Sequence, residues 1–172
     1  MTDAELRAAF HEHKDAIYRF AWRMTGSADA AADIAQETFL VMVREPLRFD
    51  PIRGNLRAFL LGVARNITRR WWRDEQRWDE LEDTHLPAVA LDTEVNEISR
   101  MVATAVQSLA PLQCEVVILA QYEEMSLEEI ARIVDAEVGT VKSRLFRARE
   151  NLRRMLAPLR PISGGRDATA KR

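Results

Sequence analysis

The chain has 172 residues, 47% apolar and 30% charged, with six Gly and six Pro, which predicts one or two small globular domains and excludes a low-complexity polymer. No apolar run approaches the length of a membrane span, and the start MTDAELRAAFHEH has no cationic segment leading into an apolar one, so no secretory signal is expected. One Cys excludes an internal disulfide framework, and with three His it supplies no zinc ligand set. The net charge of −2 conceals segregation: residues 1–80 carry 13 basic and 13 acidic side chains, residues 81–125 one and eight, residues 126–172 eleven and six. Such an imbalance suggests partners of opposite sign for different segments.

In chain order, Leu6, Phe10, Ile17, Phe20 and Met24 form one helical stripe that Gly26-Ser27 ends. A second amphipathic run from Asp29 to about Glu45 carries Ile34, Phe39, Val41 and Met42, and Pro46 stops it. The stretch Phe49-Asp50-Pro51-Ile52-Arg53-Gly54 reads as a loop. A long helix follows from about Asn55 to Glu80. At 100° per residue its buried stripe is Leu56, Phe59, Leu60, Val63, Ile67, Trp71 and Trp78, with Arg65, Arg69 and Trp72 opposite, where burial does not explain them.

Residues 81–94 lack a period and read as an acidic linker. Helical patterning resumes at Val95, Ile98, Val102, Val106 and Leu109, and again from Leu112 to Tyr122. Ser126-Leu127-Glu128-Glu129 is a capping box opening a short helix with an apolar face of Leu127, Ile130, Ala131 and Val134. Asp135 to Gly139 is expected to turn, and Thr140 to cap a second helix with the stripe Val141, Leu145, Ala148, Leu152 and Leu156. The opposite face of that helix presents Lys142, Ser143, Phe146 and Arg147, and residues 142–154 hold six basic side chains against one acid. This is the pattern of a helix-turn-helix whose second helix enters a major groove. An exposed Phe in a basic face suits contact with a thymine methyl or sugar edges better than it suits water. The expected class is all-α: a domain over 1–80, a linker over 81–94, a helix-turn-helix domain over 95–160 and a disordered tail over 161–172.

The segments Asp33-Ile-Ala-Gln36-Glu37-Thr-Phe39, Arg48-Phe49-Asp50-Pro51, Leu56-Arg57-Ala58-Phe59-Leu60 and Ala64-Arg65-Asn66 resemble the second conserved region of bacterial sigma factors. Ser126 to Ala131 and Gly139 to Arg149 resemble the fourth region, and the order and spacing of the two resemble the extracytoplasmic-function (ECF) group. The resemblance implies a sigma factor that binds the core of bacterial RNA polymerase and directs initiation at promoter DNA, with an anti-sigma factor or other regulator as partner. It implies no catalytic activity or cofactor, and the composition and N-terminus predict a cytoplasmic protein without metal or membrane insertion.

Residue by residue, Asp33, Gln36 and Glu37 match positions that dock on polymerase. Arg53, Asn55, Arg57, Asn66, Arg69, Arg70 and Trp72 match the element that melts and holds the minus-10 DNA, with Trp72 as a stacking platform. Lys142, Ser143, Phe146 and Arg147 match positions that read the minus-35 element, while Thr140, Arg144 and Arg149 suit phosphates. Two departures stand out: Ala30, Ala31 and Ala32 occupy a place where the family often has an acidic pair, and Leu56 and Phe59 stand where Phe and Trp are frequent. Cys114, among Leu112, Val116 and Val117, reads as a buried inert thiol. Two other readings compete: a dimeric helix-turn-helix regulator acting without polymerase, which would need a dimerising segment, and an all-α adaptor, which leaves the basic run from Lys142 to Arg154 without a role.

Overall fold

A computed structural model describes the backbone of residues 2–52, 54–79 and 96–159, and the side chains of all of these except 76–79 and 159. Every regular element among them is helical: α1 (Asp3–Thr25), α2 (Ala28–Arg44), α3 (Leu56–Asp79), α4 (Glu97–Gln107), α5 (Pro111–Val117), α6 (Leu127–Val134) and α7 (Val138–Met155). A π-helical turn (Ile118–Tyr122) extends α5, and a 3-10 turn (Ala157–Leu159) follows α7. The segment read as a linker and the tail, with Arg53, lie outside the described residues.

Local chemistry sets the boundaries. Thr2 and Glu5 form a capping box at the start of α1, and Gly26 ends it with φ +68°, a conformation that costs Gly nothing. A Cβ on Gly26 would also meet the Gln107 side chain at 3.1 Å. Ser27 accepts from the Ala30 N–H and starts α2, while Asn55 Oδ1 accepts from the Ala58 N–H at 2.7 Å and starts α3. The Ser126–Glu129 capping box is present. The turn differs from expectation: Asp135, at φ 51°, takes the left-handed position that ends α6, and α7 begins at Val138 with Glu137 as its N-cap. Thr140 therefore sits within the first turn of α7 rather than capping it. Asp tolerates the left-handed region, so no Gly was needed at the bend.

Helices α1, α2 and α3 form one bundle around Ile17, Phe20, Ile34, Met42, Leu60 and Leu61. Helices α4 to α7 form a second around Val116, Ile118, Leu119, Ile130, Val141 and Leu145. The two are not splayed: α3 packs on α6, α1 contacts α4 and the π turn, and the buried apolar residues form one continuous cluster. Packing on both sides explains why α3 buries more than one stripe. Leu60, Leu61, Val63, Ala64 and Ile67 are buried, and so is Arg65, which has no place in the stripe. Trp71, expected in the buried stripe, and Trp72, expected opposite it, are both partly buried, and Trp72 packs against the core.

Candidate nucleic-acid and protein interfaces

The basic face of α7 is built as its periodicity requires. Val141, Leu145 and Ala148 are buried, which turns Thr140, Lys142, Ser143, Phe146, Arg147 and Arg149 outward. Phe146 is 66% exposed although it is large and apolar. Ser143 Oγ donates to the Gly139 carbonyl at 3.0 Å and keeps its lone pairs for another donor. Arg144 behaves differently from its neighbours. It is half-buried, with Nη1 3.8 Å from Glu115 Oε1 and no hydrogen-bond partner for that buried atom. Its cation thus leans inward, towards α5, rather than joining the outer row.

On α2, Asp33 and Gln36 are exposed, and Glu37 accepts from Arg70 Nη2 at 2.8 Å. Gln36 lies on a shallow groove of about 440 Å³ between α1 and α2, with Phe10, Tyr18, Phe39 and Val43. Phe10 is 41% exposed and meets Phe39 edge-on at 4.9 Å, so this end of the α1 stripe faces the groove as well as the core. Of the three alanines before Asp33, Ala30 and Ala31 are buried and only Ala32 points outward.

The expected minus-10 residues divide into two sets. Asn66, Arg69 and Arg70 are exposed along α3. Asn66 and Arg69 line a cleft of about 790 Å³ together with Phe49 and Phe59, whose rings lie 5.5 Å apart, and with Glu129, Arg132 and Asp135 on the opposite wall. Asn55 and Arg57, by contrast, are already engaged. Asn55 Nδ2 donates to Glu129 Oε1 at 3.1 Å. Arg57 donates from Nη1 to the Glu123 carbonyl at 2.9 Å and from Nη2 to Glu123 Oε2 at 2.6 Å. Trp72 is partly buried, with part of its side chain packed against the core.

Two acids of the C-terminal half are almost wholly buried, Glu115 and Glu123, with side chains 1% and 2% exposed. Arg65 meets Glu115 as a bidentate pair, Nε to Oε2 at 2.8 Å and Nη2 to Oε1 at 3.0 Å, and its Nη1 reaches the Ile133 carbonyl at 3.4 Å. Arg23 lies 3.9 Å from Glu123 Oε1 and stacks over the Tyr122 ring at 4.1 Å. Desolvation lowers the Arg23 pKa, against the pull of Tyr122 and Glu123. These residues escape sequence reasoning because each partner lies 50 or more positions away. The one available signal was an Arg on α3 that the helical stripe left unexplained. The only Cys, Cys114, is buried, and desolvation pushes its thiol pKa up to about 12.

The family model for Sigma-70 region 2 matches residues 9–78, and that for Sigma-70, region 4 matches residues 99–152. The chain is 32% identical over 154 residues to the ECF RNA polymerase sigma factor SigE of Mycolicibacterium smegmatis, covering 85% of this chain and 59% of that one. It is 33% identical over 161 residues to the ECF RNA polymerase sigma factor SigL of Mycobacterium tuberculosis, covering 91% of each. With the ECF RNA polymerase sigma factor SigW of Bacillus subtilis it shares 30% identity, covering 86% of each. Among solved structures, the sigma factor RpoE in complex with the anti-sigma factor NepR from Bartonella quintana superposes with a TM-score of 0.79 at 26% identity, covering 91% of this chain and 99% of that one. CnrH, solved with the cytosolic domain of CnrY, shares the fold at a TM-score of 0.70 and 24% identity, over 91% of this chain and 90% of that one.

Proposed function

Because the chain belongs to the ECF sigma factors, we propose that it binds the RNA polymerase core, directs initiation at promoters and is held in check by an anti-sigma protein. Sigma factors are initiation factors without catalysis of their own, and this one is placed in the cytoplasm, where polymerase is. No helix among the described residues is long and apolar enough to cross a membrane.

The division of labour follows the two halves. Asp33, Gln36 and Glu37, beside the α1–α2 groove, dock on polymerase, combining apolar and acidic contact. Arg53, Asn55, Arg57, Asn66, Arg69 and Arg70 hold the melted minus-10 strand, with Phe49 and Phe59 as apolar company for an unstacked base. Trp72 shapes that surface from beneath. The outer face of α7 reads the minus-35 duplex through Lys142, Ser143, Phe146 and Arg147, while Thr140 and Arg149 hold phosphates and Arg144 orients the helix through Glu115. The carrying observation is the exposed, basic, Phe-bearing face of α7 in a chain that also matches region 2.

The test is co-elution with bacterial polymerase core, with transcription from genomic fragments run on the same samples. Co-elution with new start sites is expected. Arg147→Ala should still co-elute but bind upstream duplex about 5–150-fold more weakly, as the loss of a good base contact of about 1–3 kcal/mol implies. A chain that binds duplex DNA but never polymerase would instead favour a free-standing helix-turn-helix regulator.

A further inference from the structure

The reading face of α7 is only as accurate as the seat of the helix. Helix α7 packs on α5, and what it buries, Val141, Leu145 and Ala148, is aliphatic. Apolar burial has no direction, so it fixes the depth of the helix better than its rotation or its register. Two polar ties supply the direction. Asn151 Nδ2 donates to Gln113 Oε1 at 2.8 Å, and Asn151 Oδ1 accepts from Arg154. About two turns nearer the start of α7, Arg144 Nη1 stands 3.8 Å from Glu115 Oε1, an ionic contact, with both Glu115 oxygens already accepting from Arg65. Arg144 and Asn151 lie about 20° from each other around the helix, on one edge of the buried stripe, and Arg147 follows about 60° further round.

We propose that Gln113 and Asn151, seconded by Glu115 and Arg144, are positioning residues for base readout: they hold the rotation of α7 on α5 and touch no DNA themselves. This rests on the reading of α7 as the helix that enters the duplex. A rotation of about 20° at a helix radius of about 5–6 Å carries a side-chain tip about 2 Å. A hydrogen bond to a base edge does not survive that displacement. Attraction between an Arg and a phosphate, which falls only as the inverse of distance, largely does. Loosening the seat therefore costs discrimination between sequences and spares general affinity for duplex. A polar pair beside an apolar seam is suited to this task, as a buried Asn fixes register in coiled coils at some cost in stability.

The experiment uses the full chain, anisotropy for affinity, and two fluorescent duplexes of equal length, one selected by the wild type from a randomised pool and one unrelated. Gln113→Met is close to Gln in size but offers only a weak acceptor, whereas the carboxylate of Gln113→Glu still accepts from Asn151. Gln113→Met should lower the ratio of the two affinities about 5–150-fold, the worth of one base contact. It should keep wild-type helicity by circular dichroism, and bind unrelated duplex as the wild type does at every salt concentration. Gln113→Glu should keep the wild-type ratio. If Gln113→Met loses helicity, Asn151→Leu cuts the same tie with a better helix former. Loss of helicity in both makes the tie a requirement of folding and overturns the positioning role. An unchanged ratio overturns it too, as does a Glu variant as poor as the Met one. So does equal weakening on both duplexes with a salt slope smaller by about 0.9, the mark of a lost phosphate contact. Arg147→Ala separates this from the underlying reading. If that variant leaves the ratio intact, α7 is not the reader and the proposal falls with it. If Arg147→Ala lowers the ratio and Gln113→Met does not, only the positioning role falls.

Discussion

Arg65 and Trp72 sit on the face of α3 that a helical wheel leaves to solvent, and the structure buries the first and packs the second. The wheel was right about the angle and silent about what stands there, because the partners of Arg65, Glu115 and the Ile133 carbonyl, arrive from 50 and 68 residues away. Phe20 is the opposite case: its stripe position foretells burial, and its side chain is fully enclosed. Phe20→Ala should lower the stability of the chain by about 3–5 kcal/mol, measured by urea unfolding, through lost contacts and the cavity left behind. Cys114 was legible too, since Leu112, Val116 and Val117 mark its stretch as apolar. With its thiol pushed up to about 12, it carries almost no thiolate near neutrality. A thiol-specific reagent at pH 7 should label it only after denaturant is added. Labelling of the native chain at the rate of a free thiol would contradict the burial.

At the level of elements, the seven helices follow from periodicity and caps, and the breaks at Gly26, Pro46 and Ser126 were readable because each has a direct backbone cause. The turn between α6 and α7 opens at Asp135 as expected, in a left-handed bend that Asp can take, but it ends at Glu137 rather than Gly139. Thr140 consequently moved from cap to first turn. The Ser126 cap has a testable consequence. Ser126→Ala should cost about 1 kcal/mol of stability and fray the start of α6, seen as faster amide exchange at Glu129 and Ile130. The Glu129 carboxylate is held below its ordinary pKa, first by the Ser126 backbone N–H, and then by the Ser126 hydroxyl, Asn55 and Arg132. A depressed carboxylate pKa adds stability that is present above the unfolded value of about 4.3 and is lost as pH falls through the folded one. The capped turn should accordingly be unchanged from pH 7 to 6 and loosen below about pH 4. Carboxyl carbon shifts of Glu129 followed against pH check the midpoint.

For the molecule as a whole, the sequence separates two helical units and says nothing of their embrace. Periodicity reports which face of a helix is apolar, but not that the two units share one apolar cluster, nor the ion pairs between residues 50 and 66 positions apart that accompany it. The proposed site residues were legible where they lie on an outer helical face, as on α7, and obscured where the second half covers them, as at Asn55 and Arg57. The same buried pairs have an electrical consequence. While shut, Arg23, Arg57 and Arg65 have their charge cancelled at short range by Glu115 and Glu123. Once apart, three cations belong to one lobe, while Glu115, still faced by Arg144, and Glu123 belong to the other, and the molecule gains a dipole with no change in net charge. Long-range fields of this kind orient partners before contact and speed their encounter in dilute salt. An opened molecule would therefore meet a polyanion faster than a shut one, with an association rate that falls more steeply as ions are added.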